Sequence, residues 1–231
     1  MKLVIKRPFR KLTFLGVLFL ILELLARFYL GLGDPPLYQP HPQIEYFMKP
    51  DQHCNRFGNV VNTNSWGMRS DAFPQHKSDP GEVRVLVLGD SIVNGGSLTD
   101  QSNLATSILQ EQLAKTLKVR VIVGNISAGS WGPPNYLAFI KTFGFFDASA
   151  VLVVVSSHDL YDVPSFGPLN PRTHPQEKPV SAFFEGFYRY FLPRIYNFDE
   201  PGPATLSPPL DSLASQSIEA LSSLTDSCRS A

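Results

Sequence analysis

Val83-Arg84-Val85-Leu86-Val87-Leu88-Gly89-Asp90-Ser91 is the stretch whose reading decides the fold. Valine and leucine dominate the first seven residues and the run stops on glycine, which predicts a strand covered on both faces, as in a parallel sheet. Two later runs repeat the pattern, VRVIVGN at 119–125 and AVLVVVS at 150–156. Between the first two, Ala105, Leu109, Leu113 and Leu117 recur every fourth residue and predict a helix over 102–117 with that stripe on the sheet. Between the second and third, Pro133 and Pro134 open a helix whose stripe is Tyr136, Leu137, Ile140 and Phe143 and whose stop is Gly144. Strand, helix, strand, helix, strand with short connections predicts right-handed crossovers between parallel strands, an α/β doubly wound sheet.

Toward the N-terminus the chemistry changes. Lys2, Lys6, Arg7, Arg10 and Lys11 precede an apolar run, Leu12 to Leu32, interrupted only by Thr13, Glu23 and Arg27. A helix of that length reaches roughly 30 Å, the thickness of a bilayer core. Glu23 and Arg27 are four apart and stack as a pair on a helix, which lowers their cost in lipid. The expectation is one transmembrane anchor over 12–32, with basic segment 1–11 in the cytoplasm and everything after residue 33 outside, on the periplasmic or cell-surface side. A cleaved signal peptide with Phe14 to Leu22 as its apolar core, releasing a secreted domain, is the alternative, although no small-x-small cleavage site follows it. Residues 33–55 begin with five prolines in GDPPLYQPHPQIEYFMKP and read as an extended spacer. Within 56–69, FGNVVNTNSWGMR reads as a short hairpin or irregular β segment.

Composition narrows the classes of function. The chain of 231 residues is 43% hydrophobic and 17% charged, the profile of a folded domain rather than a disordered one. Its 20 basic and 20 acidic groups balance, but five of the basic ones lie in residues 1–11, so the remainder carries 15 against 20. A body of net negative charge excludes nucleic acid as the expected partner. Ten of the 20 prolines fall between Pro164 and Pro209, so 160–210 is an irregular Pro- and aromatic-rich insertion in the domain expected over 56–231, serving as lid, substrate platform or structural loop. A last helix is expected from Leu213 to Asp226, with Leu213, Ser217, Leu221 and Leu224 along one side. Cys54 and Cys228 fit no zinc or redox spacing, and their pairing is left open.

Ligands of open α/β sheets bind at the carboxyl ends of the strands, so the residues just past each run carry the chemistry. After the first stands Gly89-Asp90-Ser91-Ile92-Val93-Asn94-Gly95, which aims the Ser91 hydroxyl at the crevice. After the second stands Gly124-Asn125-Ile126-Ser127-Ala128-Gly129-Ser130, where a glycine exposes its N–H to an incoming oxyanion. Ser156-Ser157-His158-Asp159 ends the third. His158, Asp159 and Asp162 on one loop lack a second histidine and make a poor metal set, so no metal or other cofactor is expected.

These three blocks resemble the SGNH/GDSL hydrolase family, in order, spacing and strand context, over roughly residues 56–162. The lead-in Trp66 to Arg69 is similar to that of exported bacterial members. The resemblance implies a flavodoxin-like sheet, Ser91 as nucleophile, and an oxyanion hole built from the Ser91 and Gly129 N–H groups, with Asp90, Asn125 and Asp159 in support. Two departures stand against it. The family's Gly and Asn of the third block are Ser156 and His158 here, leaving His158 as a candidate third oxyanion donor through its ring N–H. The family also draws its base from an Asp-x-x-His pair near the C-terminus. Tyr38, Pro50, Phe73, Val155 and Pro171 stand three places before the five histidines, and none is aspartate. The catalytic base and its Asp, with the last two strands, are therefore absent from these residues, which implies a truncated family member. The functions expected are a serine ester hydrolase on an extracytoplasmic ester, an O-acyltransferase on an extracellular polysaccharide, or a non-catalytic chain; the partner is an ester substrate, an acylated glycan or lipid.

Overall fold

In the computed structural model, which describes residues 7–196 and 209–230, the first element is helix α1 (Arg7–Phe28). It stops four residues short of the expected span. Leu32 N–H closes back on the Ala26 carbonyl at 3.0 Å, Gly31 takes a positive φ of 66°, and a side chain at 31 would collide with the Asn55 carbonyl. Residues 29–32 are thus drawn off the helix axis toward the protein body, where Phe57 N–H donates to the Leu30 carbonyl at 2.9 Å. No helix among the described residues is long and apolar enough to cross a membrane.

The stretch read as a spacer is instead structured. Strands β1 (Tyr38–His41) and β2 (Glu45–Met48) form an antiparallel hairpin, and Ile44, Tyr46, Phe47 and Met48 are buried. Pro40 is accommodated because a two-stranded hairpin has open edges that need no donor there. A second hairpin follows, β3 (His53–Arg56) with β4 (Asn59–Asn62), its turn made by Phe57 and Gly58, both at positive φ. It covers part of the predicted 56–69 segment but begins earlier, so β3 straddles the expected boundary at residue 56.

The three apolar runs form one parallel sheet with the first run in the centre, and the third, expected to be covered on both faces like the others, is instead largely exposed because nothing packs on its outer side among the described residues. Strand β5 is Val83–Gly89 and is followed by the single-turn helix α2 (Ser91–Asn94). A 3₁₀ turn at Gln101–Asn103 leads into α3 (Ala105–Leu117), then β6 (Val121–Ser127), α4 (Pro133–Phe143) and β7 (Ala150–Val153). The second strand lies two residues beyond its predicted start, and the third is shorter than its apolar run. Helices cover both faces. Leu109 and Leu113 of α3 pack on Val85, Val87, Val121 and Val123, whereas Ala105 and Leu117 of the predicted stripe remain exposed. Tyr136, Phe139 and Ile140 of α4 pack on Leu86, Leu88, Ile122 and Ile126 on the other face.

The insertion is irregular to residue 181 and then coils into α5 (Ala182–Gly186), a π-helical turn (Phe187–Phe191) and α6 (Leu192–Ile195). Helix α7 (Leu210–Ser230) buries Leu213, Ser217, Ala220 and Leu224 and lies against α4. It is longer than predicted, and Leu221 is only half-buried. Residues 197–208 of the insertion lie outside the described residues. Both cysteines are free: Cys54 sits in a small core with Met48 and Val61, and Cys228 is exposed on α7.

Candidate active site

The register of the parallel sheet places the first two blocks side by side. Gly89 of β5 is opposite Ser127 of β6, so Ser91 and Gly129 each stand two residues past the same rung. On the other side Leu88 is opposite Val153, and Val154 N–H still reaches the Leu88 carbonyl at 2.9 Å. His158 follows four residues later. Central β5 therefore carries Ser91 between the two neighbouring loops, as expected for strand ends of a parallel sheet.

Ser91 is exposed and opens α2. Asp90 caps that turn by accepting from Ile92 N–H at 2.8 Å, and Gly95 closes it at φ 71°. The turn is gripped from beneath. Asn94 Nδ2 donates to the Ser127 carbonyl at 2.9 Å, and Asn125 Nδ2 donates to the Val93 carbonyl at 3.0 Å and to Thr106 Oγ1 at 3.1 Å. Asn125 also accepts from Ser127 Oγ. Its side chain thus fastens α2 and α3 to β6 and is not aimed at the mouth. Arg69, fully buried, donates to the carbonyls of Asn94 (2.8 Å), Gly96 (2.6 Å) and Thr99 (3.1 Å), which fixes the loop beyond Ser91. Burial pulls its pKa down to about 10, which leaves it cationic at neutral pH.

Gly129 has open space where a side chain would stand. Its carbonyl accepts from the Tyr46 hydroxyl, Trp131 Nε1 donates to the Tyr46 carbonyl at 3.0 Å, and Asn135 Nδ2 donates to the Ile44 carbonyl at 2.8 Å. Burial first, and then the Glu45 charge, push the Tyr46 phenol above its ordinary value and keep it a neutral donor. The β1–β2 hairpin therefore clamps the loop that carries Gly129. Sequence reasoning missed Tyr46, Trp131 and Asn135 as positioning groups; the aromatic and Asn-rich character of these segments was visible, but their meeting depends on the hairpin.

The third loop is organised by Asp159 rather than by His158. Asp159 is buried and accepts from Ser156 N–H (3.0 Å), Ser156 Oγ (2.7 Å) and Tyr136 OH (3.2 Å), while its carbonyl accepts from Ser217 of α7 at 3.3 Å. Gly132 lies so close to the carbonyls of Asp159 and Asp162 that any side chain there would collide with them. His158 is exposed, and its ring makes no hydrogen bond among the described residues. Asp162 is half-buried. Burial first, then the Asp159 charge and more weakly those of Asp90 and Glu45, raise its pKa, with His158 opposing, so these groups share one electrostatic neighbourhood.

What this mouth can do follows from what it holds. The Ser91 hydroxyl makes no hydrogen bond to a histidine or carboxylate among the described residues. Asp90 and Asp159 are committed to backbone and hydroxyl donors. Among the described residues the histidine-carboxylate ion pair is His76–Asp147, at 3.2 Å, and it stands before β5 and β7, at the opposite end of the sheet. The described residues contain no group of three or more side chains able to hold a metal ion. Beside the Gly129 loop lies a recess of about 330 Å³ lined by Glu45, Tyr46, Ser130, Tyr161, Asp162 and His174, among others. Two larger clefts, of about 980 and 890 Å³, flank segment 182–195 rather than the strand ends. No family model, curated protein or solved structure matches the chain.

Proposed function

We propose that the carboxyl end of this sheet is an ester-binding site of the SGNH/GDSL type on a flavodoxin-like, doubly wound sheet. Ser91 is the nucleophile, and the oxyanion is received by the N–H groups of Ser91 and Gly129 and by His158. The observation that carries this reading is the shared rung, Gly89 opposite Ser127, from which Ser91 and the unobstructed Gly129 backbone each follow by two residues on adjoining loops. In such a site Ser91 Oγ attacks the ester carbonyl carbon, the developing negative charge on oxygen is stabilised by the amide donors, and the alcohol leaves from an acyl-serine. Water then releases the acid. A base to take the serine proton is the missing part, and a serine hydroxyl without one is a poor nucleophile at neutral pH.

Two secondary readings each rest on one observation. The polar recess beside Gly129, with Tyr46, Tyr161, Glu45 and Asp162, suits a hydroxylated acceptor and favours O-acyl transfer to a glycan. The commitment of Asp90 and Asp159 to other partners favours a site that binds its ester without turning it over. The basic N-terminal segment and the apolar surface of α1 favour attachment to a membrane, with the α/β body on its outer side.

The test is hydrolysis of a short-chain p-nitrophenyl ester, with and without added imidazole. Without imidazole the chain and its Ser91→Ala variant turn over alike. Imidazole entering the open mouth raises the rate of the chain above a blank holding the same imidazole, which itself cleaves the ester, and leaves the variant at that blank. Equal stimulation of both, or of neither, defeats the reading. A Ser91-dependent rate without imidazole shows that a base has been recruited; His158 is that base if His158→Ala abolishes the rate and added imidazole restores it, and an oxyanion donor if imidazole does not.

A further inference from the structure

The Ser91 site leaves unused the apolar surface shared by α1 and segment 182–195. Leu12 through Leu22 of α1 are exposed at every position, so all faces of that stretch are apolar and open, whereas Glu23 and Ala26 face the body. A helix apolar all round belongs inside a protein core or in lipid. No single protein partner laid against one face would cover it, whereas acyl chains surround a helix on all sides.

Segment 182–195 is fastened to α1 by the polar residues that interrupt it. Glu23 accepts from Ser181 Oγ (2.7 Å), Ala182 N–H (2.9 Å) and Phe183 N–H (2.9 Å), and holds Arg27 at 2.8 Å. Phe19 packs edge-on against Phe183, with ring centroids 5.7 Å apart, and lies beside Phe184 at 5.8 Å. From this junction Phe184, Phe187, Tyr188, Phe191 and Ile195 project outward, each between 42% and 60% exposed. Phe187 and Phe191, four apart on the π-helical turn, lie alongside each other with ring centroids 5.5 Å apart. Exposed apolar and aromatic side chains in such number are unusual on a water-facing surface, and phenylalanines of this kind form the face that interfacial helices bury at the headgroup–acyl boundary. The two large clefts flank this segment, one lined by Phe19, Phe184 and Tyr188 together with Glu23, Glu177 and Glu185, the other almost wholly apolar, with Leu22, Leu25, Phe187 and Phe191 beside Arg194. Charge agrees: Arg10 and Lys11 stand at the start of α1 and Arg194 borders the second cleft, cations suited to anionic headgroups.

The geometry points to a lipid bilayer as the occupant of this surface: segment 182–195 is a second membrane-embedded element, carried into the interface by its ties to Glu23, with acyl chains filling the clefts beside it. This rests on the membrane reading of α1 and goes beyond it, since a tethering helix alone would leave the aromatics in water. It also fixes the orientation of the α/β body, which is held against the membrane through 182–195 instead of hanging on a free linker.

The full-length chain is reconstituted in phosphatidylcholine vesicles containing some phosphatidylglycerol, in a Cys228→Ser background with Cys54 left buried. A nitrobenzoxadiazole dye is placed in turn at Phe187→Cys, Phe191→Cys, Leu20→Cys and, on the far side of the sheet, Ile108→Cys; Phe184→Cys and Tyr188→Cys repeat the measurement should either aromatic variant misfold. Nitroxide-labelled phosphatidylcholine is expected to quench the dye severalfold at 187, 191 and 20 and to leave 108 unchanged. Quenching at 20 without quenching at 187, 191, 184 or 188 overturns the inference while the membrane reading of α1 stands. Absence of quenching at 20 overturns both.

Discussion

Asp162 shows how a single residue in the mouth is tuned by its neighbours. Its carboxyl is raised above the ordinary 3.8 by burial first and then by Asp159, Asp90 and Glu45. The folded state therefore holds this proton more tightly than the unfolded chain does, and stability falls as pH rises from the unfolded value through the raised folded one. Asp162→Asn removes the penalty. The variant is expected to melt higher than the parent at pH 7, with the difference vanishing below pH 3.8, as followed by thermal denaturation across that range. A gain that persists at low pH would assign the effect to packing instead. At this scale the sequence was legible where position follows from the strand itself: Ser91 comes just after β5 and Gly129 just after β6. It was not legible for Asn125, whose amide serves the α2–α3 junction, or for Asp159, whose carboxylate is spent on Ser156 and Tyr136. Side-chain direction depends on partners far along the chain.

At the scale of elements the aromatic segment 182–195 is held by a buried ion pair. Glu185 accepts from Arg56 Nη2 at 2.6 Å, Arg56 Nη1 at 3.1 Å, Gly33 N–H at 2.5 Å and Arg189 at 2.9 Å, and the Arg56 and Glu185 side chains are almost wholly buried. Burial works to raise the Glu185 pKa, but Arg56, Gly33 and Arg189 together overcome it and hold the carboxyl below its ordinary 4.5. Stability from this group is thus complete above pH 4.5 and lost as pH falls through the lowered value. Glu185→Ala strands the Arg56 guanidinium in the interior and is expected to cost about 3–5 kcal/mol. The loss should appear as a lower denaturation midpoint and as faster proteolysis within 182–195; unchanged proteolysis would mean that Glu23 alone holds the segment. Nothing in the sequence announced this pair, because 129 residues separate its members.

For the whole molecule the open question of the sheet is its β7 edge. Among the described residues no strand pairs with the far side of β7, and Leu152, Val153, Val154 and Val155 are all exposed. An unpaired, apolar, charge-free edge is a template for association with another chain. The protein is expected to self-associate as its concentration rises, and Leu152→Lys is expected to suppress this while leaving the circular-dichroism spectrum intact. Light scattering decides it: association unaffected by the lysine would place the contact elsewhere, as on α1.

The three parallel strands, the helices between them and the loops at their carboxyl ends were written in the sequence, because hydrophobic period and Gly or Pro punctuation are local properties that a strand or helix carries wherever it lies; the burial of β5 and β6 followed, and that of β7 did not. Only the tertiary structure decided that the Pro-rich stretch 38–48 folds back as a hairpin clamping Gly129, that α1 breaks at Phe28, and that Glu23 and Glu185 bind the aromatic segment. Each of these depends on hydrogen bonds and ion pairs between residues distant in sequence, whose energies exist only once the chain has brought them together.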